Sequence, residues 1–119
     1  MSFIDIENME FYAFHGCFAE EAEIGTHFAV DLRAELDTSL AQKTDNIDDT
    51  VSYLDIYQSV KSQMETPSHL LEHVADRIAV AVLEGFPPIR AVRVKVTKLN
   101  PPLGGKMRGV SLTIEKSRV

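Results

Sequence analysis

Lys98 follows Val92, Val94 and Val96 at the same two-residue step, with Arg93, Lys95 and Thr97 between them. That period belongs to a strand with one dry and one wet face. An ammonium that continues the dry face stands at the edge of a low-dielectric layer, which disfavours its charged form. A lysine held there is a candidate proton carrier; its stem could equally lie on the apolar layer with the head in water. Glu72 follows Leu70-Leu71 close to an expected helix start, where free backbone N–H groups favour a carboxylate. It could accept two hydrogen bonds from an amidine-like or guanidine-like ligand edge, or be an ordinary first-turn glutamate. His69 and His73, at i and i+4, have a zinc-capable spacing within an H-x-x-E-H pattern. No third ligand is obvious, and two solvated histidines are the plainer reading. Glu20, Glu21 and Glu23 form an acidic run typical of a solvated loop, and Tyr53 sits at a helix entrance as either core edge or catalyst. Gly104-Gly105-Lys106 lacks the spacing of a phosphate loop. No Ser/His/Asp triad stands out, and Cys17 has no sequence-level activator.

The elements that must position these groups can be read from hydrophobic period. Residues 3–14 are apolar but alternate imperfectly, which predicts a strand broken or bulged near Asn8 and Met9. The acidic stretch from Cys17 to Gly25 reads as a connection. Phe28, Val30, Leu32, Ala34 and Leu36 alternate with Asp31, Arg33, Glu35 and Asp37, a second strand whose other face meets water or a polar lumen. Residues 38–50 read as a loop with at most a short turn. Ser52 is a candidate cap for a helix carrying Tyr53, Ile56, Tyr57, Val60 and Met64. Thr66-Pro67, or Ser68, would open a second helix that buries Leu70, Leu71, Val74, Ala75, Ile78, Ala81 and Val82, and Gly85 with Pro87-Pro88 would end it. The valine strand then runs to Asn100-Pro101-Pro102, and after a Gly104-Gly105 turn Val110, Leu112 and Ile114 mark the last strand. The order is β-β-α-α-β-β, an α+β domain with two helices on one face of an antiparallel sheet. Four long strands in an open sheet leave two unpaired edges, so self-association is expected.

The 119 residues suit one domain, and 45% hydrophobic with 25% charged residues supports a single core. A net charge of −6, from 12 basic and 18 acidic residues, argues against nucleic acid as a partner. The lone Cys17 cannot form an internal disulfide and suits a reducing compartment. Residues 1–20 lack a signal-peptide pattern and no apolar run is long enough to span a membrane, so a cytoplasmic protein is expected.

Taken in order, Phe11-Tyr12-Ala13-Phe14-His15-Gly16 with Glu21 and Glu23-Ile24-Gly25, Thr44-Asp45-Asn46 with Thr50-Val51-Ser52-Tyr53, Leu70-Leu71-Glu72-His73 with Arg77-Ile78-Ala79, and Val96-Thr97-Lys98-Leu99-Asn100-Pro101-Pro102 resemble the dihydroneopterin aldolase family. The likeness covers nearly the whole chain, least closely from Leu103 to Arg108. It implies the tunnelling fold, in which such subunits join sheet edges into a tetrameric barrel and two rings stack into an octamer, with active sites between subunits. It also implies retro-aldol cleavage of 7,8-dihydroneopterin in folate biosynthesis, with no cofactor, metal or Schiff base. By the same resemblance Lys98 is the general acid/base and Tyr53 comes from the neighbouring subunit to assist proton transfer. Glu21 lies near the substrate side chain, Glu72 anchors the pterin, and Leu71, Val51 and Ser52 border it. The rival readings are a same-fold epimerase of dihydroneopterin or its triphosphate, a zinc-dependent tunnelling-fold enzyme using His69 and His73, and a non-catalytic assembly domain.

Overall fold

The computed structural model describes residues 1–101 and 103–118. Along the chain come β1 (Ser2–Ala13), α1 (Ala19–Ile24), β2 (Thr26–Leu36), α2 (Ser39–Thr44), a 3-10 turn (Ile47–Asp49), α3 (Tyr53–Met64), α4 (Leu71–Gly85), β3 (Ile89–Leu99) and β4 (Gly109–Ser117). The strands form one antiparallel sheet in the order β1-β2-β3-β4, leaving β1 and β4 as its edges. The α+β architecture expected from the periodicity is therefore the observed one. Among the described residues no helix is long and apolar enough to cross a membrane.

The core lies between the sheet and the pair α3 and α4. The β2 stripe Phe28, Val30, Leu32, Ala34 and Leu36 is buried, as are Val92, Val94 and Val96 of β3. Ile56, Val60 and Met64 of α3 and Val74, Ala75, Ile78, Ala79, Val82 and Leu83 of α4 close over them. The irregular alternation of β1 has a concrete cause. Its pairing with β2 shifts between Ile6 and Met9, and Asn8 adopts a left-handed φ of 55° while its N–H donates to Asp31 Oδ1 at 2.8 Å. This bulge resets the parity of the strand, so that Ile4 and Ile6 before it and Met9, Phe11 and Ala13 after it all face the core.

Several local expectations are corrected. The connection from Cys17 to Gly25 contains α1, and residues 38–50 contain both α2 and the 3-10 turn. Helix α4 starts at Leu71 with Leu70 as its N-cap residue, not at Thr66, Pro67 or Ser68, because the Ser68 side chain is buried in contacts of its own. As a result Leu70 is exposed, and Ala79 and Leu83 occupy core positions where Leu70 and Ala81 were expected. Tyr53 projects from the first turn of α3 into solvent. Asn100, with φ of 50°, follows the end of β3, and Pro102 of the expected stop lies outside the described residues.

Ile78 is fully buried, so Ile78→Ala should cost about 2–5 kcal/mol of stability in urea denaturation. The exposed Leu70 marks the contrast: Leu70→Ala should stay within about 0.5 kcal/mol.

Candidate active site

The two-residue step carries Lys98 onto the helix side of the sheet, opposite Phe28 of β2 in register. Its stem is half-buried, and its Nζ lies 5.8 Å from the centroid of the Phe28 ring. An ammonium at such a place needs a counter-charge, and the acidic connection provides it. Helix α1 turns Glu21 back so that its Oε2 accepts a hydrogen bond from Lys98 Nζ, an ion pair in which both side chains are only 14% exposed. Burial pushes the Glu21 carboxyl up, but the hydrogen bond from Lys98 and backbone N–H groups of Phe18 and Cys17 outweigh it and hold the pKa below the usual value. The carboxylate rests against the Cα of Gly16, where any Cβ would collide with it.

A second cluster adjoins this pair. His15 is buried, its ring edge-on to Phe28 at 5.1 Å, and its Nδ1 accepts a hydrogen bond from the Ser68 N–H at 2.9 Å. The Gly16 N–H donates to the Ser68 carbonyl, also at 2.9 Å. Ser68 Oγ is 2.7 Å from His73 Nδ1 and accepts from Arg77 at 2.8 Å, and Arg77 also donates to the Gln63 and Thr66 carbonyls. Because Nδ1 of His15 is an acceptor, the neutral ring carries its proton on Nε2, which is buried near the Met64 backbone but makes no well-formed hydrogen bond among the described residues. An open cleft of about 410 Å³, lined by Phe14, Ala22, Pro67, His69, Leu70 and His73, lies between α1 and the start of α4. A second hollow, about 300 Å³, lies on the other face of the sheet among Asp5, Asp31, Arg33, Arg93 and Lys95; neither hollow is lined by any of the expected site residues.

The expected residues thus fall into three groups. Lys98 and Glu21 are in contact. Leu71 and Glu72 stand at the first turn of α4, with Leu71 against the core and the Glu72 carboxylate exposed. Val51, Ser52 and Tyr53 stand at the entrance of α3, where Val51 is buried in the core, Ser52 is the N-cap residue without a side-chain cap bond, and Tyr53 is 70% exposed. Among the described residues no hydrogen bond joins Tyr53 to Lys98 or Glu72. The placement of His69 and His73 on one helix face is corrected: His69 precedes α4 and so shares no helix face with His73, and among the described residues no three His, Cys, Asp or Glu side chains converge. The sequence reading missed the roles of His15, Gly16 and Ser68. Ser68 enters it only as a cap and His15-Gly16 only as part of a family motif; their contact spans more than fifty positions, beyond any local pattern.

The sequence profile of the dihydroneopterin aldolase family matches residues 4–115. The dihydroneopterin aldolase of Bacillus subtilis is 41% identical over 119 residues, covering 99% of both chains. That of Staphylococcus epidermidis is 40% identical over 112 residues, covering 93% of each. Among solved structures, the dihydroneopterin aldolase of E. coli in complex with neopterin superposes with a TM-score of 0.91 at 28% identity, covering 98% of this chain and all of the other.

The His15 pKa is lowered from 6.5 to about 4 by burial and by the positive charges of Arg77 and Lys98, against a raising contribution from the Met64 backbone. A folded-state pKa below the unfolded one means that the unfolded chain binds the proton first. Urea midpoints should therefore fall as pH drops from about 6.5 through about 4, and His15→Gln should remove that component of the slope.

Proposed function

Since this chain belongs to the dihydroneopterin aldolase family and is an aldolase of folate biosynthesis, we propose that Lys98, Glu21 and Glu72 carry its retro-aldol chemistry, with Tyr53 supplied by a neighbouring subunit. The observation that supports this reading most directly is the part-buried Lys98–Glu21 ion pair, with the exposed Glu72 carboxylate standing at the start of α4.

The substrate is 7,8-dihydroneopterin. Its C6=N5 bond adjoins the side chain, so the heterocycle brings its own electron sink. A base removes the proton of the 2′-hydroxyl, the C1′–C2′ bond breaks, and its electron pair moves toward N5, which takes up a proton. The departing two carbons leave as glycolaldehyde. Protonation of C1′ and loss of the N5 proton then give 6-hydroxymethyl-7,8-dihydropterin. Lys98 shuttles these protons through water, and Glu21 holds its amine in place. Such positioned proton transfer contributes about 10²–10⁴-fold in rate. Glu72 accepts hydrogen bonds from the 2-amino group and N3–H of the ring, each worth about 1.5–3 kcal/mol for a charged acceptor. Leu71 provides pocket wall beside it. Glycolaldehyde returning to the opposite carbonyl face would give the epimer with the same residues.

The exposed Tyr53 ring and the two free sheet edges support subunit assembly into a tetrameric or octameric barrel, with Val51 and Ser52 contributing backbone at the pterin edge. The exposed Cys17 thiol fits the reducing cytoplasm.

Incubation with 7,8-dihydroneopterin should release glycolaldehyde stoichiometrically with the hydroxymethyl product. Lys98→Ala should lower kcat by about 10²-fold or more while a bound pterin analogue is retained. Glu72→Ala should lose pterin affinity first, by about 1.5–3 kcal/mol for each hydrogen bond removed. Unimpaired turnover in Lys98→Ala would overturn these roles.

A further inference from the structure

We propose that His15 is a positioning residue for the cleavage, clamping the start of α4, and with it Glu72, at a fixed separation from the Lys98–Glu21 pair. This rests on the reading that Lys98 and Glu72 serve opposite ends of one substrate.

Ser68 is held by both of its backbone groups: its N–H donates to His15 Nδ1 and its carbonyl accepts from Gly16, each at 2.9 Å. On one side of this double bond lies the proton-transfer pair. Gly16 lies against the Glu21 carboxylate, and the His15 ring lies edge-on to Phe28, the residue opposite Lys98. On the other side lies α4, which Ser68 grips through His73 and Arg77. The clamp therefore bridges two groups that local structure leaves independent, one on β3 and α1 and the other on the first turn of α4.

The identity of residue 15 supports a role beyond filling space. An apolar side chain could pack on Phe28 without burying a polar atom. Histidine instead buries an Nε2–H that makes no well-formed hydrogen bond among the described residues, a poor contact with the Met64 backbone aside, which costs stability. What it supplies in return is an acceptor for the Ser68 N–H. A misplacement of about 1 Å between reacting groups can cost about 10²-fold in rate, so an acceptor that fixes this spacing matters to kcat.

The test uses the assembled full-length enzyme. His15→Leu should lower kcat by about 10- to 100-fold while pterin affinity changes little, because Glu72 remains on its helix. His15→Asn, whose Oδ1 can accept from the Ser68 N–H as Nδ1 does, should recover most of the lost kcat. Val82→Ala, a core change away from the site, should lower thermal stability and leave kcat unchanged. Wild-type kcat in His15→Leu overturns the proposal, and so does an equal loss in the Leu and Asn variants, which would assign the effect to packing alone. Should His15→Leu fail to fold, imidazole ¹⁵N shifts of the wild-type enzyme decide: Nδ1 as acceptor with Nε2 protonated is expected, and the opposite tautomer overturns the clamp. Lys98→Ala separates the two layers of the argument, since turnover surviving there refutes the residue roles, whereas a His15 variant with full turnover beside an inactive Lys98→Ala refutes only the clamp.

Discussion

An ammonium placed on the apolar side of a sheet has to be answered by a carboxylate, and much of the local structure here follows from that need. The registry of β3 against β2 sets Lys98 opposite Phe28, on the side where every earlier member of its stripe is a buried valine. Water alone cannot solvate the amine there, because its side chain is only 14% exposed. The chain between β1 and β2 resolves this by winding Glu21 inward on a six-residue helix and letting its carboxylate rest where Gly16 has no side chain. A charge pair built this way gains little net stability, since desolvation offsets much of the attraction. What it fixes is the position of the Lys98 amine.

The general architecture was legible in the sequence because it depends on periods. Two-residue alternation marked β2, β3 and β4, helical spacing marked α3 and most of α4, and the disturbed alternation of β1 pointed to the bulge at Asn8. Lys98 was legible for the same reason, as the polar member of an apolar series. Its pairing with Glu21 was not, since 77 positions separate them and no local period connects them. The start of α4 was misplaced because Thr66, Pro67 and Ser68 all have the chemistry of helix caps. Tertiary contacts from His15 and Arg77 hold Ser68 in the connection, and the helix begins three residues later.

The distribution of exposed groups also sets what one chain contributes. Glu72 and Tyr53 both stand at helix entrances, with no side-chain hydrogen bond among the described residues, while the Lys98–Glu21 pair is part-buried within the fold. The rigid part of the candidate site thus belongs to one subunit's core. The parts that would meet a ligand or neighbour remain at the surface, where their rotamers are unconstrained before association.

The bulge in β1 has a consequence for how the strand finds its partner. Its two halves present their apolar residues at opposite parities, so a pairing with β2 that lacked the bulge would turn one half or the other toward water. The Asn8 N–H, donating to Asp31 Oδ1 at 2.8 Å, ties the bulge to one position on β2. The irregularity at Asn8 therefore acts as an index mark for the hairpin.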